Sequence, residues 1–212
     1  MTAPAFAALI PDAAWSEHLL ACKADILAAV GPQRYLEDPP HLTVHLAVYP
    51  EPAAMVAAVA DCMQRCLVPQ VQVEGWHVFR DDPLTGGHTP VCAIAPAGQI
   101  ALRIVQAQVI AALAPLRDTT ATTARYAAHW DGLGSGRQAS VRAHGFPFTG
   151  ADWHPHVSVC SVARSAWDQA WALLQKHERR GTMGFQALRW YQLDGDRPKL
   201  LEEFRLAAHE AC

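Results

Sequence analysis

Apolar residues recur along this chain with two periods, and the points where the period changes mark out strands and helices. Residues 5–10 form a short apolar run closed by Pro11 and Asp12, which predicts a buried strand. An Ala- and Leu-rich stretch from Asp12 to about residue 30 predicts a helix stopped by Gly31 and Pro32. Pro39 and Pro40 introduce a strand over 41–49. A second helix is predicted over 52–67, with Pro52 at its start and Pro69 beyond its end. Alternation returns over 71–79, the turn-rich stretch 81–89 breaks it, and 90–95 makes another strand. Residues 99–113 read as a third helix.

The second half repeats that order. A strand over 156–162 precedes a helix over about 165–180, a strand near 185–193, a Gly-Asp turn and a strand near 200–206. His41 and His156 lie 115 residues apart, and Trp76 and Trp190 lie 114 apart, so the trailing strands keep the spacing of the leading ones. Two related halves of short strands and helices predict an α+β fold, bilobal and duplicated. Two antiparallel sheets are expected to face each other across a central cleft, with helices outside. The expected organisation is one domain over 1–212, with one lobe over about 12–96 and the other over about 151–212. Residues 5–10 and the 99–113 helix bridge the two. Residues 117–150, polar and rich in glycine, have no counterpart and are expected to form a loop insertion.

The repeat carries chemistry. His41-Leu42-Thr43-Val44 and His156-Val157-Ser158-Val159 each read histidine, apolar, hydroxyl, apolar. Side chains of a strand alternate between its faces, so His41 shares a face with Thr43, and His156 with Ser158. An imidazole beside a hydroxyl, supplied twice, suits attack on a phosphodiester. One ring takes a proton, the other gives one, and the hydroxyls hold phosphoryl oxygens. The same alternation puts His45 and His154 on the faces of the motif histidines. That leaves a rival, a metal site of His41, His45, His154 and His156, although no carboxylate lies close in either motif.

The surroundings offer further binding groups. Arg125, Tyr126, Trp130, Arg137, Arg142 and Phe148 interleave aromatics with cations inside the insertion, a pattern that stacks a base and pairs a phosphate or simply docks a surface loop. Tyr49 and Arg164, just after the two motif strands, are candidates to reach substrate from the rim. Arg164 equally suits a solvated helix start. Trp153, Trp130 and Tyr126 are candidate stackers, whereas Trp76 and Trp190 read as core. Gly134-Ser135-Gly136 has no strand before it and no helix start after it, so it is not read as a dinucleotide fingerprint.

Composition narrows the partners. With 212 residues and 51% hydrophobic content the chain has material for an ample core, and its formal net charge of −3 gives no broad footprint for nucleic acid. A substrate nucleotide or a short or terminal piece of RNA fits better. The six cysteines never occur as C-x-x-C; they are expected to be reduced, mostly buried and not a zinc site, which suits a cytoplasmic location. A bridge between Cys62 and Cys66, one helical turn apart, is expected to be poor in geometry. The N-terminus lacks the pattern of a signal peptide, and the apolar stretches are broken before a membrane-spanning length.

The paired tetrapeptides, the strand and helix over 5–30, the strand before Pro96, the Pro155-His156-Val157-Ser158 context and the closing strand–turn–strand resemble the 2H (two-histidine) phosphoesterase superfamily. Within it they resemble the bacterial 2′-5′ RNA ligase-like and cyclic phosphodiesterase branch. That resemblance implies a bilobal fold, a mechanism with no metal or other cofactor, and a substrate carrying a phosphodiester on a ribose. It also implies that His41 and His156 are the acid/base pair and that Thr43 and Ser158 bind phosphate. The expected activity is hydrolysis of a 2′,3′-cyclic phosphate or a 2′-5′ linkage by a monomer. The alternatives are 2′-5′ RNA ligation and a non-catalytic module that binds a nucleotide or RNA end.

Overall fold

Each of the two histidine segments lies along the edge of its own antiparallel sheet. The computed structural model describes residues 2–82, 85–195 and 197–206. In chain order the strands are β1 (Ala3–Pro11), β2 (Leu42–Tyr49), β3 (Val71–Phe79), β4 (Thr89–Ile94), β5 (Arg180–Met183), β6 (Phe185–Asp194) and β7 (Arg197–Arg205). The helices are α1 (Ala13–Val30), α2 (Val56–Arg65), α3 (Pro96–Leu113), α4 (Thr119–Arg125), α5 (Gly134–His144) and α6 (Trp167–Lys176). The first sheet has the order β2-β1-β6-β7 and the second β4-β3-β5, which makes the fold α+β.

The duplication is visible in this order. Beside the first motif strand β2 stand β1, then β6 with Trp190; beside the second motif segment stand β4, then β3 with Trp76. Both indoles turn to the helical side. Trp190 donates to the Pro52 carbonyl and Trp76 to the Leu174 carbonyl, each at 2.7 Å. The lobes are therefore not contiguous stretches such as 12–96 and 151–212. Strands β3 and β4 stand with the second motif, and β6 and β7 with the first.

Strand β1 is buried on both faces, which is why its sequence is a continuous apolar run rather than an alternation. Ala5, Ala7 and Leu9 join the main core under the helices, while Phe6, Ala8 and Ile10 form a smaller cluster with Ala187 and Tyr191 on the opposite face. Asp12 caps α1 by accepting from the Trp15 amide at 2.9 Å. Its other oxygen accepts from the Gly184 amide at 2.8 Å, so the helix start is tied to the start of β6.

Several expected elements differ in form. The strand expected over 156–162 is an extended segment with isolated bridges from Ser158 to Val91 of β4 and from Val162 to His88, just before β4. The Val159 amide donates to the Pro90 carbonyl at 3.1 Å, but Pro90 has no N–H to return, and the ladder cannot continue through it. The second and sixth helices start later than expected, because short 3₁₀ turns at Pro52–Met55 and Arg164–Ala166 come first. Strand β5 was masked in the sequence by its charged and small residues.

The insertion is helical rather than a loop, and Gly134-Ser135-Gly136 forms the first turn of α5. Its helices carry no apolar stripe long enough to announce themselves. They cover the free edge of β2: the Asp118 amide donates to the Val48 carbonyl at 2.9 Å, and the Val48 amide donates to Thr122 Oγ1 at 3.0 Å. Gly145 closes α5 with φ +84°, and a Cβ there would stand 2.7 Å from Arg117 Cδ.

One apolar helical stretch, Pro96–Leu116, is long and apolar enough to cross a membrane by length and composition, contrary to expectation. It is laid against the sheets here, with Leu102, Val105, Val109 and Leu113 buried in the core. Five cysteines, Cys22, Cys62, Cys66, Cys92 and Cys160, are buried free thiols; Cys212 lies outside the described residues. The sulfurs of Cys62 and Cys66 are 3.7 Å apart, in contact without a bridge.

Candidate active site

Both motif histidines are held by the same device. His41 Nδ1 donates to the carbonyl of Pro39 at 2.8 Å, and His156 Nδ1 donates to the carbonyl of His154 at 2.7 Å. A carbonyl only accepts, so each Nδ1 carries the proton and each Nε2 keeps the lone pair. Prolines frame both contacts: Pro39 and Pro40 precede His41, and Pro155 precedes His156. Fixed φ angles at these positions hold the accepting carbonyls still.

The two rings are close enough for the charge of one to act on the other. Burial pulls both imidazoles below their ordinary range, His156 to about 4, and the backbone carbonyls partly oppose this. The charge His41 takes up on protonation further disfavours protonation of His156, while Asp82 favours it. Asp38 acts in that sense on His41. Both rings are therefore neutral near pH 7.

Thr43 and Ser158 are half-buried, and neither hydroxyl has a hydrogen-bond partner among the described residues. Each histidine also lies against a phenylalanine from its own sheet. Phe6 of β1 is 5.6 Å from the His41 ring, and Phe79 of β3 is 5.2 Å from the His156 ring.

His45 does not join them. The pairing of β2 with β1 slips between Ala7 and Ala8, so that Thr43 stands opposite Ala8 and His45 opposite Ala7. This bulge turns His45 to the helical side, where it is fully buried against Phe146 with both ring nitrogens unpartnered. Burial lowers its pKa to about 3. The four-histidine arrangement is thus not assembled. Among the described residues no three His, Cys, Asp or Glu side chains are grouped to hold a metal ion. His154 does stay near His156, with ring centroids 6.4 Å apart, and is closer to His77 at 5.2 Å.

The candidate rim groups lie elsewhere. Tyr49 is fully buried on the helical side against Trp190, because the bulge shifted its face too. Trp153 is a core residue, and its carbonyl accepts from Arg103 at 3.1 Å. Trp130 lies within the insertion under the guanidinium of Arg142, and Tyr126 ends α4 with its phenol pushed up by burial. Arg164 pairs with Asp81 at 2.7 Å. None of these five makes a hydrogen bond, ion pair or ring contact with His41 or His156 among the described residues.

Sequence reasoning passed over two cations. Lys23 is 4% exposed within α1, and its Nζ donates to the carbonyls of Tyr35 at 2.6 Å and Asp38 at 2.7 Å. It thereby fixes the turn that delivers Pro39 and His41; burial pulls its pKa to about 8. Arg189 sits on β6 with Nε bonded to Glu203. A charge inside an apolar run marks both: Lys23 among Ala, Cys and Leu, and Arg189 between Leu188 and Trp190.

A family model described as the 2′-5′ RNA ligase superfamily matches residues 10–197. The search of curated proteins returned no match.

Proposed function

The chain belongs to the 2′-5′ RNA ligase superfamily, and from that premise we propose that it is a phosphodiesterase needing no metal. Its substrate in this reading is a ribose 2′,3′-cyclic phosphate or 2′-5′ phosphodiester, on a nucleotide or a short RNA end. The observation that carries the reading is the matched pair of imidazoles. Each is locked through Nδ1 to a carbonyl two residues upstream, and each is accompanied by an unpartnered hydroxyl.

The chemistry follows from the free atoms. A neutral Nε2 takes a proton from water as the water oxygen bonds to phosphorus. The other imidazole, protonated in the field of the bound phosphate, gives its Nε2 proton to the departing ribose oxygen, and the P–O bond to that oxygen breaks. Thr43 and Ser158 donate to the non-bridging oxygens as their charge grows. Proton count is conserved over a turnover, since one ring ends protonated and the other neutral. We assign the protein to work as a monomer, in keeping with a site built wholly from one chain.

The test is turnover of the four nucleoside 2′,3′-cyclic phosphates and of 2′-5′-linked oligoadenylate in EDTA. Hydrolysis is expected for wild type and is lost in His156→Ala. Activity that appears only on adding zinc or manganese contradicts the proposal, and a joined rather than cleaved product turns it to ligation.

A further inference from the structure

Arg189 occupies a position where the sheet calls for an apolar side chain. Its face of the first sheet carries Phe6, Ala8, Ile10, Ala187 and Tyr191, all buried. The register places Thr43 of β2, Ala8 of β1, Arg189 of β6 and Glu203 of β7 in one row. Adjacent strands are about 4.8 Å apart, so the Thr43 and Arg189 backbones stand roughly 10 Å apart. Ala8, the residue between them, is small and fully buried, so Thr43 and Arg189 are the two polar groups flanking one apolar position.

The guanidinium is incompletely used among the described residues. Its Nε donates to Glu203 Oε2 at 2.7 Å and its Nη1 to the Tyr191 hydroxyl at 3.3 Å. Of five N–H donors, two are engaged among the described residues. Glu203 also lies 3.9 Å from Arg205, so two arginines share one carboxylate and a positive charge remains. Tyr191 in turn stacks on Phe6 at 5.0 Å, and Phe6 meets His41 at 5.6 Å. One continuous ring contact thus leads from the partner of Arg189 to a motif histidine. A half-buried cation on an apolar face lowers stability unless it has a task. Two other cations near the motifs are already committed, Lys23 to backbone carbonyls and Arg164 to Asp81.

We propose that Arg189 is a substrate-binding residue. Its free Nη donors hold a non-bridging oxygen of the phosphodiester on the face that also carries Thr43, while Glu203 and Tyr191 fix the plane of the fork. This rests on the reading of the site as a phosphodiesterase and adds the cation that the two tetrapeptides lack. Arginine suits the role because its planar fork offers two parallel donors to one phosphate.

The test is binding, which can be read without turnover. Adenosine 2′-monophosphate and 3′-monophosphate are titrated calorimetrically into wild type, Arg189→Gln and Glu203→Gln, with adenosine as the neutral control. Arg189→Gln is expected to weaken both monophosphates about tenfold to a hundredfold and to leave adenosine unchanged. It also flattens the salt dependence of monophosphate binding. Glu203→Gln removes the competing negative charge, so monophosphate affinity holds or rises. A purely structural ion pair predicts the opposite: equal monophosphate binding in Arg189→Gln, or weaker binding in Glu203→Gln, overturns the proposal. Wild type that binds monophosphate through Arg189 but cleaves none of the five substrates sinks the catalytic reading alone. Wild type that hydrolyses substrate but binds no monophosphate at millimolar concentration sinks the Arg189 proposal alone.

Discussion

The two histidine-bearing walls carry the same imidazole and hydroxyl pair on different supports. On the first wall, His41 enters a continuous, bulged strand whose outer edge is covered by the insertion. On the second, His156 enters an extended segment held to β4 by isolated bridges, with Pro90 interrupting the ladder. What the walls share is the Nδ1 contact to a carbonyl two residues upstream and a hydroxyl two residues downstream. What they do not share is the lining. Arg189, Tyr191 and Phe6 line the first wall; His77, His154 and Phe79 line the second. The duplication has kept the two imidazoles and their hydroxyls, whereas the groups around them have diverged into a cationic wall and an imidazole-rich one.

Removing either ring tests the equivalence most severely. His41→Ala and His156→Ala are each expected to lower kcat by about 10²–10⁴-fold with little change in Tm. A loss on one side only breaks the comparison. The hydroxyls come next: Thr43→Val and Ser158→Ala are each expected to cost on the order of a hundredfold in kcat. Unequal losses would show which wall carries more of the developing charge.

Lys23→Met acts on the first wall alone. It leaves the carbonyls of Tyr35 and Asp38 without their donor, so stability should fall by about 2 kcal/mol in urea unfolding. Turnover should fall further than monophosphate binding, because the turn before His41 is loosened while Arg189 is untouched. The smallest effect is expected at Arg164→Ala. This removes an exposed ion pair with Asp81, so stability should change by less than about 1 kcal/mol and kcat less than twofold.

The imidazoles also set a pH dependence. His156, at about 4, and His45, at about 3, are harder to protonate in the folded chain than in the unfolded one. Above about pH 6.5 both states are neutral at these positions and the stability is fully present. As pH falls, the unfolded chain takes up protons that the native one refuses, so stability declines toward about pH 3. Urea unfolding between pH 3 and 8 should show that decline, and His45→Leu should flatten its lower part without moving the pH profile of turnover.

Much of this arrangement was legible in the chain because it depends on local pattern. The paired tetrapeptides, the 114-residue spacing of the tryptophans and the punctuation by proline and glycine located the strands and the histidines. Three features were hidden for physical reasons. The bulge opposite Ala7 and Ala8 is a property of pairing between strands, so the faces of His45 and Tyr49 could not be read from alternation in β2. The polar helices of the insertion lack a continuous apolar face and are held by contacts to an edge strand distant in sequence. The place of Arg189 opposite Thr43 appears only when β6 is laid beside β1. The exchange of strands between the halves was hidden in the same way, since neither β3 nor β6 states which sheet it will join.

The measurement that bears most directly on the central claim is hydrolysis of nucleoside 2′,3′-cyclic phosphates in EDTA by wild type, His41→Ala and His156→Ala, with folding verified by Tm. The account predicts metal-free product from wild type and its near-complete loss in both variants. Product that survives either substitution, or that requires an added metal ion, contradicts it.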